Sequence, residues 1–195
     1  MYAFFTQYLD GTQLMLLKKI SQKLCLLVAL LVPTMTWAEL KAGAQAPTFT
    51  APAALAGQTY TFVLAEALKK GPVVVYFYPK AFTTGCTIEA QLFAEATEQF
   101  AALKATVIGV SSDDLDTLKK FSEGPCGGKF AVAADVDRSI IKAYDAGMML
   151  KPDMASRISY VVTPDQKILF VHSGMNPDQH VTNTLAALKN WQLKR

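Results

Sequence analysis

The run Val73-Val74-Val75-Tyr76-Phe77-Tyr78 constrains this chain more than any other segment. It is β-branched or aromatic throughout, without polar alternation, as suits a strand buried on both faces of a sheet. Gly71-Pro72 precede it and Pro79 ends it. Such a strand needs layers on both sides. Beyond a short loop, Ile88, Leu92, Ala96, Phe100 and Leu103 recur at three- and four-residue spacing, with Phe93 beside them. This predicts a helix from Cys86 onward, and Glu89, Glu95 and Glu98 fall mostly off its apolar stripe.

Further along, Ala105–Val110 reads as a second strand. Ser111-Ser112-Asp113-Asp114 is a helix-start signal for Leu115–Phe121. Gly124, Pro125, Gly127 and Gly128 mark a loop around Cys126, then Phe130–Ala134 reads as a strand and Ile140–Tyr144 as a short helix. Ile158–Val162 and Ile168–Val171 are strands around a Pro164-Asp165-Gln166-Lys167 turn. Asn176-Pro177-Asp178 opens a last helix carrying Val181, Leu185, Leu188 and Trp191. Toward the N-terminus, Glu39–Thr59 is rich in Ala, Gly and Pro, with short extended pieces at most, and Tyr60–Phe62 fits a strand. The alternation predicts an α/β domain whose parallel sheet carries helices on both faces, with an antiparallel hairpin at its end.

Residues 1–38 have a different character. Lys18, Lys19 and Lys23 precede an apolar run from Leu24 to Val32, Pro33 breaks it, and Thr36-Trp37-Ala38 offers small residues for cleavage. That is the pattern of a secretory signal peptide cut after Ala38, and the run is far shorter than the ~20 residues of a membrane span. Met15 would start a more ordinary signal than Met1. The expected mature domain is 39–195, exported and most simply periplasmic. The net charge of +3 is spread without a dense basic block, which argues against nucleic acid as a partner. Cysteines 86 and 126 remain in the mature part, a pair that in an exported chain would ordinarily read as a structural disulfide.

The segment around Cys86 argues for reactivity instead. A cysteine in the first turn of a helix faces unpaired backbone N–H groups and the positive end of the helix dipole, which favour thiolate, the nucleophilic form. Pro79-x-x-x-Thr83-x-x-Cys86 resembles the active-site motif of the peroxiredoxins. The flanking Tyr76-Phe77-Tyr78-Pro79-Lys80 and Gly85-Cys86-Thr87 resemble the bacterioferritin-comigratory (PrxQ-like) branch of the AhpC/TSA peroxidases. The resemblance runs from about Gly43 to the last helix.

It implies a thioredoxin-like three-layer sandwich with N-terminal strand additions. It also implies a peroxidase in which Cys86 attacks the near oxygen of a peroxide and becomes a sulfenic acid. Thr83 hydroxyl and the Cys86 backbone N–H would then hold the peroxide oxygens, Arg157 would stabilise thiolate and leaving oxygen, and Pro79 would pack over the sulfur. Many members of this branch carry the resolving cysteine five residues after the first, where this chain has Gln91. Others carry it on the next helix, near Ser122; Cys126 lies four residues on and is the candidate resolving thiol. If Cys126 is a spectator, a small thiol or a protein partner resolves Cys86 directly.

No cofactor is implied: there is no phosphate-cradling glycine loop and no metal-ligand spacing. His172 and His180 pair with no acidic cluster in the sequence and are expected to have no catalytic role. The implied partners are a peroxide and a thioredoxin-like or small-thiol reductant, with the chain a monomer or weak dimer. A peroxide sensor using the same chemistry stays open as an alternative. An exported disulfide oxidoreductase or a copper chaperone would need a cysteine pair at the helix start, where Thr83 and Glu89 stand instead.

Overall fold

The computed structural model describes residues 39–194, so the predicted signal peptide lies outside the described residues. Seven strands form the main sheet: β1 (Thr50–Leu55), β2 (Gln58–Val63), β3 (Val73–Phe77), β4 (Thr106–Ser111), β5 (Ala131–Ala134), β8 (Ile158–Val162) and β9 (Ile168–Ser173). Their order is β2-β1-β5-β4-β3-β8-β9, while β6 (Gly147–Met148) and β7 (Lys151–Ala155) make a separate small ribbon. The helices are α1 (Leu64–Leu68), α2 (Thr84–Glu95), α3 (Thr97–Ala102), α4 (Leu115–Glu123), α5 (Ser139–Ala143) and α6 (Pro177–Gln192). The β3–β4 and β4–β5 pairs are parallel; β1–β2, β1–β5, β3–β8 and β8–β9 are antiparallel.

The central strand is β3, and the alternation of side chains along it builds the two cores. Val73, Val75 and Phe77 point to one face, where they meet Leu64 and Leu68 of α1, Ile140 and Ile141 of α5, and Tyr144. Val74, Tyr76 and Tyr78 point to the other, with Ala90 and Phe93 of α2, Phe100 of α3, Leu118 and Phe121 of α4, and Val181, Leu185 and Leu188 of α6. Every residue of β3 is fully buried, as its unbroken apolar run requires. The result is a thioredoxin-like three-layer α/β sandwich.

Three expectations need correction. The 39–59 stretch contains a full strand, β1, which zips to β2 from Thr50↔Val63 to Leu55↔Gln58 and bonds to β5 on its other side. Alanine and proline are poor strand formers alone, and tertiary pairing overrides that weak preference. The helix predicted from Cys86 onward is two helices, α2 and α3, with Ala96 at the break. Its buried face is also rotated: Ile88 is 44% exposed, whereas Cys86, Glu89, Ala90 and Phe93 are buried.

Candidate active site

Cys86 is the third residue of α2, so its backbone lies in the turn whose N–H groups have no intrahelical acceptor. The loop from Pro79 joins it to the end of β3. That loop is tied down by Asp113, whose carboxylate accepts from the Ala81 N–H at 2.7 Å and from the Ser111 hydroxyl at 2.9 Å. Phe82, half exposed, sits in the loop with φ of +63° and rests edge-on against Phe121 of α4. A non-glycine residue in the left-handed region stores backbone strain, a feature that clusters at functional loops.

The structure brings two of the five sequence-predicted residues into direct contact. Arg157, immediately before β8, is buried and places Nη2 3.4 Å from Cys86 Sγ. Thr83 is the N-cap of α2, but its hydroxyl donates to the Lys80 carbonyl at 3.0 Å, closing the loop on itself. Pro79 ends β3 and is half buried. Cys126 is reduced and wholly buried, not the accessible loop thiol that exchange requires. Its N–H donates to the Phe121 carbonyl, and the turn after α4 is closed by Gly127 and Gly128, both with positive φ. Burial pushes the Cys126 thiol well up from its ordinary range.

Both cysteines belong to the same core cluster, with the stacked rings of Tyr76 and Tyr78 among them. Burial raises both phenols well above the ordinary tyrosine value, so they stay neutral and add no charge beside the sulfurs.

Two buried neighbours of the site lie outside the set predicted from the sequence. Glu89, one helical turn after Cys86, is completely buried and accepts a hydrogen bond from Arg157 Nη1. Burial pushes its carboxyl up to about 8, against the opposing pull of Arg157. His180 of α6 also faces this carboxyl, with Nδ1 3.8 Å from Glu89 Oε1. The i, i+3 spacing of Cys86 and Glu89 was the available signal: both lie on one helix face, so a buried cysteine implies a buried glutamate.

A family model described as AhpC/TSA matches residues 42–171. This chain is a peroxiredoxin of the AhpC/TSA family. The peroxiredoxin is 31% identical over 149 residues to chloroplastic peroxiredoxin Q of Oryza sativa subsp. japonica, covering 76% of this chain and 66% of that one. Among solved structures, the peroxidoxin BcpB of Mycobacterium tuberculosis superposes with a TM-score of 0.71 at 29% identity, over 77% of this chain and 97% of that one. A cysteine-to-serine variant of PrxQ from Xylella fastidiosa gives 0.70 at 25% identity, over 80% and 99%. These likenesses make the peroxiredoxin a thiol peroxidase, an oxidoreductase of the PrxQ/BCP type. Thioredoxin-type reductants are typical of this family.

Proposed function

We propose that this protein reduces hydrogen peroxide and organic hydroperoxides through a sulfenic acid on Cys86. The contact between Arg157 Nη2 and Cys86 Sγ carries the reading. A guanidinium there favours an anionic sulfur and offers N–H donors where charge develops on the departing oxygen. The thiolate attacks the near peroxide oxygen, the O–O bond breaks, and the distal oxygen takes a proton and leaves as water or alcohol. Cys86 is oxidised by two electrons and the peroxide is reduced by two. Thr83 reaches the peroxide only if its hydroxyl turns away from Lys80; Pro79 limits water at the sulfur.

Cys126 is the proposed resolving thiol. Its sulfur displaces hydroxide from the sulfenic acid, water is released, and a dithiol reductant of thioredoxin type returns both cysteines to thiols. Disulfide geometry requires Cα atoms about 4.4–6.8 Å apart, and Cys126 is wholly buried, so we read the exchange as coupled to movement of the turn after α4. The proposed compartment is the periplasm, on the pattern of residues 1–38.

Turnover with a dithiol reductant tests the reading. Cys86→Ser is expected to abolish peroxide consumption. Cys126→Ser is expected to retain one rapid turnover and lose sustained turnover. Full sustained turnover in Cys126→Ser would assign resolution to the reductant itself, and undiminished activity in Cys86→Ser would overturn the reading.

A further inference from the structure

Behind the sulfur, the charges do not balance. Arg157 is the one Lys or Arg among the described residues that is buried, and it touches two groups that can be anionic, Cys86 Sγ and Glu89. Burial lowers His180 to about 4, so the ring adds no charge near neutral pH. Its Nε2 lies 2.9 Å from the Gly174 carbonyl, which only accepts, so Nε2 carries the hydrogen. In the neutral ring Nδ1 is then the lone-pair side and accepts from the Ser159 hydroxyl at 2.9 Å. Glu89 Oε1, fully buried, has no hydrogen-bond donor and faces that lone pair at 3.8 Å. An ionised carboxylate in this position would leave one oxygen unsatisfied against another acceptor, and two buried anions would share one cation.

We propose that Glu89 is held protonated in this buried position, so that Arg157 keeps its charge for Cys86. The proposal rests on the reading of Cys86 as a thiolate nucleophile. Glu89 and His180 are positioning residues here: they act through Arg157 and do not meet the peroxide. The ionisable groups around the carboxyl are Cys86 on its own helix, Tyr76 of β3, Arg157 before β8 and His180 of α6, with His172 of β9 packed against His180 at 4.6 Å between rings. None besides Arg157 supplies a fixed positive charge. The shifts run the same way: burial raises Glu89 to about 8 and lowers His180 to about 4.

This arrangement has a pH signature in stability. Unfolded, the glutamate titrates near 4.5 and the histidine near 6.5. Between those values the unfolded pair holds one proton on histidine and the folded pair holds one on Glu89, so the contribution is flat. From 6.5 to 8 the folded pair keeps a proton that the unfolded pair has lost, and stability falls as pH rises. Below 4.5 the unfolded pair takes up a second proton first, and stability falls as pH drops.

Infrared spectroscopy of the reduced protein near neutral pH tests the proposal without any peroxide. The expected result is a carboxylic acid C=O band that disappears in the isosteric Glu89→Gln variant and shifts in His180→Asn. Nitrogen-15 NMR of the wild type, which needs no folded variant, is expected to show His180 neutral with hydrogen on Nε2. Absence of a Glu89 acid band, or an imidazolium at His180, overturns the proposal. Either result leaves the peroxidase reading standing, because that reading is decided by trapping at Cys86.

Discussion

Replacing Arg157 with methionine is expected to slow the first reaction of Cys86 with peroxide by roughly 10²–10³-fold, the usual effect of removing one donor from a developing oxyanion. Methionine keeps much of the side-chain volume and removes both the charge and the donors. The guanidinium lies 3.4 Å from the sulfur and donates to Glu89 on its other side, so the substitution also strips a buried carboxyl of its donor. Leaving a buried polar group without its hydrogen-bond partner typically costs about 1–3 kcal/mol. The Arg157→Met/Glu89→Gln double variant is expected to be about as stable as Arg157→Met, because a neutral acid and an amide lose the same donor, while the rate stays low. Stopped-flow kinetics and denaturant unfolding read the two quantities independently. A normal rate in a folded Arg157→Met protein would remove Arg157 from the chemistry.

The second large effect is on stability. Gly109 of β4 lies directly beside Tyr76 of β3 in the parallel register. A Cβ at Gly109 would come within 2.8 Å of the Tyr76 Cζ and hydroxyl oxygen. That ring has nowhere to go: it stacks on Phe93 at 4.4 Å and on Tyr78 at 5.4 Å, with Phe130 edge-on at 5.9 Å. Gly109→Ala is therefore expected to cost about 1–3 kcal/mol, as overpacking of a tight core does. For a domain of this size each kcal/mol lowers Tm by roughly 2–4 °C. The same stack lies among the two cysteines, so Cys86 reactivity is expected to suffer alongside. An unchanged Tm would mean that the tyrosine layer is looser than its packing indicates.

Much of this molecule was legible in the sequence because a few segments leave no choice. The Val73–Tyr78 run demanded a central strand, and Pro79 fixed where the chain turns into its loop. Cys86 and Arg157, 71 residues apart, are linked in the sequence by the family motif and by the position of Arg157 ahead of a predicted strand. What stayed hidden depended on tertiary partners. β1 is held by β2 and β5, which a local reading of an Ala- and Pro-rich stretch cannot see.

Glu89 and His180 were missed for a related reason. Apolar periodicity assigns charged residues to the outside, and only a buried cation on a distant segment reverses that assignment. The actual buried face of α2 centres on Cys86, Glu89, Ala90 and Phe93, so the functional carboxylate occupies a core position. Cys126 shows the opposite error. Its glycine-rich setting reads as a loop, yet the turn closes compactly enough to bury the thiol.

The measurement closest to the central claim is peptide mass mapping after about one equivalent of hydrogen peroxide, with dimedone present to trap sulfenic acid. The account predicts that Cys86 is the oxidised residue, carrying dimedone or joined to Cys126, and that Cys126→Ser increases the dimedone fraction. Cys86 recovered as an unmodified thiol after the peroxide has been consumed would contradict it.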